Sequence, residues 1–275
     1  MRRPRFSPDP SDPRAPPQEV WDALSEDERQ RVVDALPSEF DLPNAGPPEG
    51  DPHRKQKSKA LESLDEYFHR IRRRVYLSSE LPVYYPNEPV FAPDLIAVLD
   101  VEAHERMSWV VSREKRGIDL ALEIHLAGDA AKDFTRNVER CARLEIPEYF
   151  AFDMNRRRLT GWRLPTGGAR RYEPIVPQAG RWWSSVLELD LAVEGDRLRF
   201  YHGSAPLLDA RELVARLGAM VDEAIRRAES EGRRAEDEAR RAEDEARRAE
   251  DEARRADRLA AKLRRLGVDP DAPDE

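Results

Sequence analysis

The chain has a single cysteine, Cys141, in 275 residues. No internal disulfide and no cysteine-rich zinc site can be built from it, and a reducing compartment is the default. No apolar run reaches the roughly 20 residues that a membrane-crossing helix needs. The opening MRRPRFSPDP is basic, but prolines and acids follow where a secretion signal carries an apolar stretch. These absences lead us to expect a soluble, cytoplasmic protein with no membrane contact. Positive charge is not in excess either. Lys+Arg number 47 against 55 Asp+Glu, a net charge of −8 that argues against broad attraction to nucleic acid.

Charge of both signs is abundant instead. Charged residues make up 37% and hydrophobic residues 39%, too polar an average for a uniformly globular protein. The polar excess must sit in segments that build no core. Residues 1–52 are rich in proline and acids and read as a flexible arm with one short helix. Within LSEDERQRVVDAL, Ser25 and Glu28 have capping-box spacing ahead of Val32, Val33 and Leu36. Residues 206–266 read as one long charged helix. RRAEDEA occurs three times in succession, and alanines 235, 239, 242, 246, 249, 253, 256 and 260 alternate steps of four and three. That is a heptad seam, for a coiled coil or a single solvated helix, and a possible homo-oligomer contact over 233–266. Glu236–Arg240 and Glu243–Arg247 have the i,i+4 spacing that supports an exposed helix. Residues 267–275 read as a disordered tail.

The remaining 53–205 holds the core. Leu61, Leu64, Phe68 and Ile71 recur at helical spacing, and the helix carries much of a basic segment, Arg54 to Arg74, whose plainest reading is a solvated face. RVYLSSELPVYY and APDLIAVLD read as strands, and residues 101–117 as a solvent-exposed connection. In IDLALEIHL, Ile118, Leu120, Leu122, Ile124 and Leu126 alternate, which puts Asp119, Ala121, Glu123 and His125 on the opposite face. A helical stripe of Phe134, Val138, Cys141 and Ala142 leads to PEYFAFD, RLTGWRL and later strands. The order predicts a mixed α/β (α+β) sheet with flanking helices and a helical crossover.

Asp94 near the start of one strand and Glu123 on a later one would meet if those strands are neighbours. Two carboxylates with water suit Mg²⁺ or Mn²⁺, and His125, two residues on, would share their face. The plainer alternative makes Asp94 a turn cap and leaves Glu123 and His125 on the solvent face of an edge strand. Trp162, Trp182 and Trp183 read as core or edge packing.

APDLIAVLD, LALEIHLAGD and KDFTRNVERCARLEIPEYFAFD, in that order, resemble the Uma-two family of restriction endonucleases, a branch of the PD-(D/E)XK nuclease superfamily. The similarity covers roughly residues 53–175. It implies a restriction-endonuclease-like mixed sheet, a Mg²⁺-dependent (or Mn²⁺-dependent) nuclease acting on DNA, and Asp94 and Glu123 as the metal ligands. His53 resembles a histidine near the family's first helix, and Glu148 and Asp153 match a piece that fixes helix and strand ends. The superfamily lysine two residues after the acid is His125 here, and the lysine of the following helix is Asn137. His125 and Lys132 are therefore the candidates to assist catalysis. The alternative is a catalytically impaired nuclease fold that binds or assembles through its C-terminal helix.

Overall fold

The alternation in IDLALEIHL buries both faces of its strand. In the computed structural model, which describes residues 6, 8, 9, 11–37 and 50–266, all six residues of this strand are buried. The expected tail over 267–275, and most of the linker before residue 50, lie outside the described residues. In chain order the first elements are α1 (Gln18–Ala23), α2 (Glu26–Ala35), α3 (Asp51–Ile71), β1 (Val75–Ser78), β2 (Val83–Tyr84), β3 (Leu95–Leu99), β4 (Trp109–Val110) and α4 (Val111–Glu114). Then come β5 (Leu120–His125), a π-helical turn (Lys132–Arg136) that runs into α5 (Asn137–Arg143), and β6 (Glu148–Asp153). β7 (Arg158–Arg163), β8 (Glu173–Pro174), β9 (Arg181–Ser184), β10 (Leu189–Glu194), β11 (Arg197–His202), β12 (Ala205–Pro206) and α6 (Ala210–Arg265) complete the order.

The main sheet is mixed, in the order β1-β3-β5-β6-β7-β8. Only β5 and β6 are parallel, joined through the π-turn and α5 because parallel neighbours need a crossover. The two strands are buried along their whole length, as expected of a sheet covered on both faces. On one face Leu95, Leu120, Leu122, Ile124, Phe150 and Phe152 pack with Leu64 and Phe68 of α3 and with Leu189, Leu191 and Phe200 of a second sheet, β12-β11-β10-β9. On the other, Ile96, Val98, Ala121, Tyr149 and Ala151 pack with Cys141 and Ile146. The edge-strand alternative for Glu123 is thereby overturned: β5 is central, and Glu123 and His125 are both buried.

Three other expectations need correction. Residues 101–117 are not a solvent-exposed connection throughout. β4 pairs with β2, and Trp109 is fully buried, stacked on Tyr76 with its indole N–H donating to the Arg116 carbonyl. The apolar run Trp109–Val110–Val111 between two serines is too short to show a period, so nothing in the pattern announces it. The N-terminal arm holds two helices, and Trp21, Leu24, Val32 and Leu36 bury themselves with Tyr84, Val90 and Val110. The Ser25–Glu28 capping box is present at the start of α2. The basic segment is not wholly solvated either. Lys57 is buried, and the Arg73 guanidinium donates to the carbonyls of Val186 and Leu187.

Gly161 of β7 sits where a Cβ would lie 2.5 Å from the Phe150 ring. Gly161→Ala must displace a buried aromatic side chain, so it should cost about 1–3 kcal/mol. A urea melt with an unchanged midpoint would contradict this.

The chain divides into two compact units, Met1–Ala210 and Arg211–Glu275. The second consists of α6 and the residues after it. α6 has 56 residues, none of them buried, and spans roughly 84 Å at 1.5 Å per residue. Its repeat is laced by ion pairs, but with a different partner from the expected one at two places. Asp237 pairs with Arg240 and Asp244 with Arg247 at i,i+3, while Glu250 and Arg254 use i,i+4. Among the described residues, no helix is long and apolar enough to cross a membrane.

Candidate active site

β3 and β5 run antiparallel with Leu95 opposite Leu122 and Ile96 opposite Ala121. Continuing that register by one residue sets Asp94 opposite Glu123, and directly opposed residues send their side chains to the same face. The two residues are also laced together through the backbone. The Ile124 N–H donates to Asp94 Oδ2 at 2.6 Å, and the Asp94 N–H donates to the Glu123 carboxyl.

The two acids experience opposite environments. Burial works against ionisation of Asp94. Hydrogen bonds from His53 and the Ile124 N–H, with the charges of His53 and Lys57, outweigh it and hold its carboxyl below the usual range. His53 Nε2 lies 3.3 Å from Asp94 Oδ2 and also donates to the Ile124 carbonyl. Lys57, one turn further along α3, places Nζ 3.7 Å from Asp94 Oδ1 and 2.6 Å from Glu80 Oε1. Glu123 is the reverse case. Burial, then the negative charges of Asp94 and Asp133, push its carboxyl well above the ordinary value, against a weaker pull from Lys132. Asn137 donates its amide to Glu123 Oε1 at 3.0 Å.

His125 ends β5 on the same face as Glu123. Its Nδ1 lies 2.9 Å from Asp133 Oδ2, so the imidazole is anchored to the π-turn. Asp133 is itself held there, since Tyr149 donates to its backbone carbonyl at 2.8 Å. The other Asp133 oxygen, Oδ1, is buried without a hydrogen-bond partner. Lys132, next to it, is exposed. The structure thus gathers Asp94, Glu123 and His125, leaves Lys132 at the rim, and adds Lys57 and Asp133, which sequence reasoning did not select; Glu80 is an exposed partner of Lys57 outside the set. For Lys57 a signal existed: projecting the stripe Leu61, Leu64, Phe68 back along α3 reaches positions 57 and 53.

The donor set suits a hard divalent cation. It offers carboxylate oxygens only, one of them with its charge uncompensated, beside an orphaned Asp133 oxygen. Among the described residues no group of three or more His, Cys, Asp or Glu is arranged to hold a metal, so water would have to complete the coordination. Cys141 is no candidate, because burial pushes its thiol up. Glu148 and Asp153 lie outside the set. Glu148 accepts from Ser184 and Ser185, and Asp153 accepts from the backbone and guanidinium of Arg156 in the β6–β7 turn. Trp162 packs on Tyr149 with ring centroids 5.7 Å apart, Trp182 is half-buried against the core, and Trp183 is exposed.

No curated protein matches the chain. Among solved structures it is similar to a "putative nuclease" of the DUF820 group from Anabaena variabilis, at 13% identity and a TM-score of 0.43, covering 54% of this chain and 80% of that one. Residues 44–194, more than half of the sequence, match the model of a family described as "Putative restriction endonuclease". With that match, the chain belongs to the Uma2 family.

Proposed function

We propose that the protein is a metal-dependent nuclease that hydrolyses DNA phosphodiester bonds, with Asp94 and Glu123 as the ligands of a Mg²⁺ or Mn²⁺ ion. The observation that carries this reading is the opposed pair itself: two carboxyls brought together by the β3–β5 register, one kept ionised and the other pushed toward its neutral form by burial and its acidic neighbours. A bound divalent ion supplies Lewis acidity toward the phosphate and a more acidic water. The chain's own residues prepare the place. The Ile124 N–H and His53 fix the Asp94 carboxylate, Asn137 fixes Glu123, and Asp133 sets the orientation of the His125 ring. His125 can then hold or pass a proton at Nε2.

Calorimetric titration with Mg²⁺ and Mn²⁺ tests the reading, run beside plasmid cleavage, with Asp94→Ala as the control. The expected result is binding heat and cleavage in the wild type, both lost in the variant. A wild type giving neither heat nor cleavage would turn the assignment to the second reading, a nuclease fold that acts as a binding or assembly module. That reading is favoured by one observation: Val214, Leu217, Met220, Val221 and Ile225 of α6 are all more than half exposed. The alanine seam further along is less suited to self-pairing, because Glu236, Glu238, Glu243 and Glu245 occupy the flanking e and g positions and would face their own copies.

A further inference from the structure

Displacement at phosphorus builds negative charge on the phosphoryl oxygens, and a cation set beside them in a dry site lowers that barrier. The positions where a nuclease of this kind would carry lysine hold His125 and Asn137. Both have other engagements, with Asp133 and Glu123 respectively. Lys132 is exposed. A different ammonium is buried at the site. Lys57 enters from α3 with its side chain 5% exposed, between Glu80 Oε1 at 2.6 Å and Asp94 Oδ1 at 3.7 Å. Were its role only to pin the helix, Glu80 at the surface would suffice as a partner. The ammonium also stands 3.7 Å from the acid that receives His53, one helical turn earlier. A flexible four-carbon stem with three donors can turn from Asp94 to a phosphate oxygen without moving its helix.

We propose that Lys57 is the cation of the nuclease site, taking over from α3 the charge that β5 and α5 do not provide. The inference rests on the nuclease reading above and adds to it a catalytic residue that would touch the scissile phosphate. It makes an unusual demand on metal affinity. A cation close to Asp94 competes with a divalent ion there, so removing it should leave Mg²⁺ binding intact or tighten it while cleavage collapses.

The test uses the full chain and compares Lys57→Met, Lys57→Gln, Lys57→Arg and Glu80→Gln by plasmid-cleavage kinetics, Mg²⁺ calorimetry and thermal melts. The melts decide which of the two neutral variants is folded. In the folded one kcat should drop by roughly 100-fold or more, with KM little changed and Mg²⁺ bound at least as tightly as in the wild type. Lys57→Arg should recover part of the rate, and Glu80→Gln should stay within a few-fold of wild type. Full cleavage by a neutral Lys57 variant overturns the inference, as does an equal loss in Glu80→Gln or a parallel loss of Mg²⁺ binding, either of which marks a structural ion pair. A wild type that neither binds Mg²⁺ nor cleaves overturns the nuclease reading itself, and this inference with it.

Discussion

Glu123→Gln should make the metal-free protein more stable near neutral pH and at the same time abolish cleavage. Glu123 is buried, and Asp94 and Asp133 both repel its negative charge. A glutamine of the same shape removes that charge and keeps an amide oxygen that can accept from Asn137. Relief of an uncompensated buried charge is worth about 1–3 kcal/mol, or roughly 2–4 °C of melting temperature per kcal/mol in a domain of this size. Because the folded state raises the Glu123 pKa, the stability linked to its protonation is complete below the ordinary carboxylate range. It is lost as pH rises through the raised value. The gain from glutamine should therefore grow with pH.

Asp94→Asn should do the opposite. The lowered Asp94 pKa contributes stability above the ordinary range, lost as pH falls through the depressed folded value. At neutral pH the asparagine leaves Lys57 and His53 short of a partner and should cost about 2–4 kcal/mol. Cleavage should fall by at least roughly 10²–10³-fold in both variants. Differential scanning calorimetry across pH reads the pair directly. A lower melting temperature for Glu123→Gln would remove the claim that its charge is uncompensated.

Glu148→Ala should be the most destabilising single change outside the apolar core. Glu148 is 1% exposed and joins the two sheets. Oε2 accepts from Ser184 Oγ, Oε1 accepts from Ser185 N at 2.8 Å and Ser185 Oγ at 2.7 Å, and Arg163 lies 3.8 Å away. Alanine leaves these donors buried or half-buried without their acceptor. With charged hydrogen bonds worth about 1.5–3 kcal/mol each and not fully additive, a total loss of about 3–5 kcal/mol is expected. The melting temperature should fall by roughly 10 °C, while Mg²⁺ affinity measured well below the transition stays unchanged. A drop of only about a degree would show that the two sheets hold together without this carboxylate.

These residues also mark what the sequence disclosed and where it stopped. The period-2 run around Glu123 announced a strand, and the facing of Leu120, Leu122 and Ile124 is as read, whereas Ile118, just before β5, packs with the opposite cluster. That Asp94 stands opposite was a question of register, which no local pattern carries. The contact of His125 with Asp133 depends on a π-turn that shifts the helical phase between them, so a regular helix drawn through Phe134, Val138 and Cys141 misses it. Lys57 was hidden by its charge: grouped with the exposed Arg54 and Lys55, it reads as surface, although its position on the α3 stripe is buried. β9 was overlooked because the only one of its four residues that is buried is a serine, Ser184, so no apolar alternation marks it.

The repeat in α6 has a mechanical consequence. Dropping or duplicating one RRAEDEA unit moves everything beyond it by about 10.5 Å along the axis and turns it by only some 20°. Each remaining residue therefore keeps its side of the rod, and most of the ion pairs re-form with equivalent partners. Reach in this tail can thus drift between generations in fixed increments, with almost no change to the surface it presents.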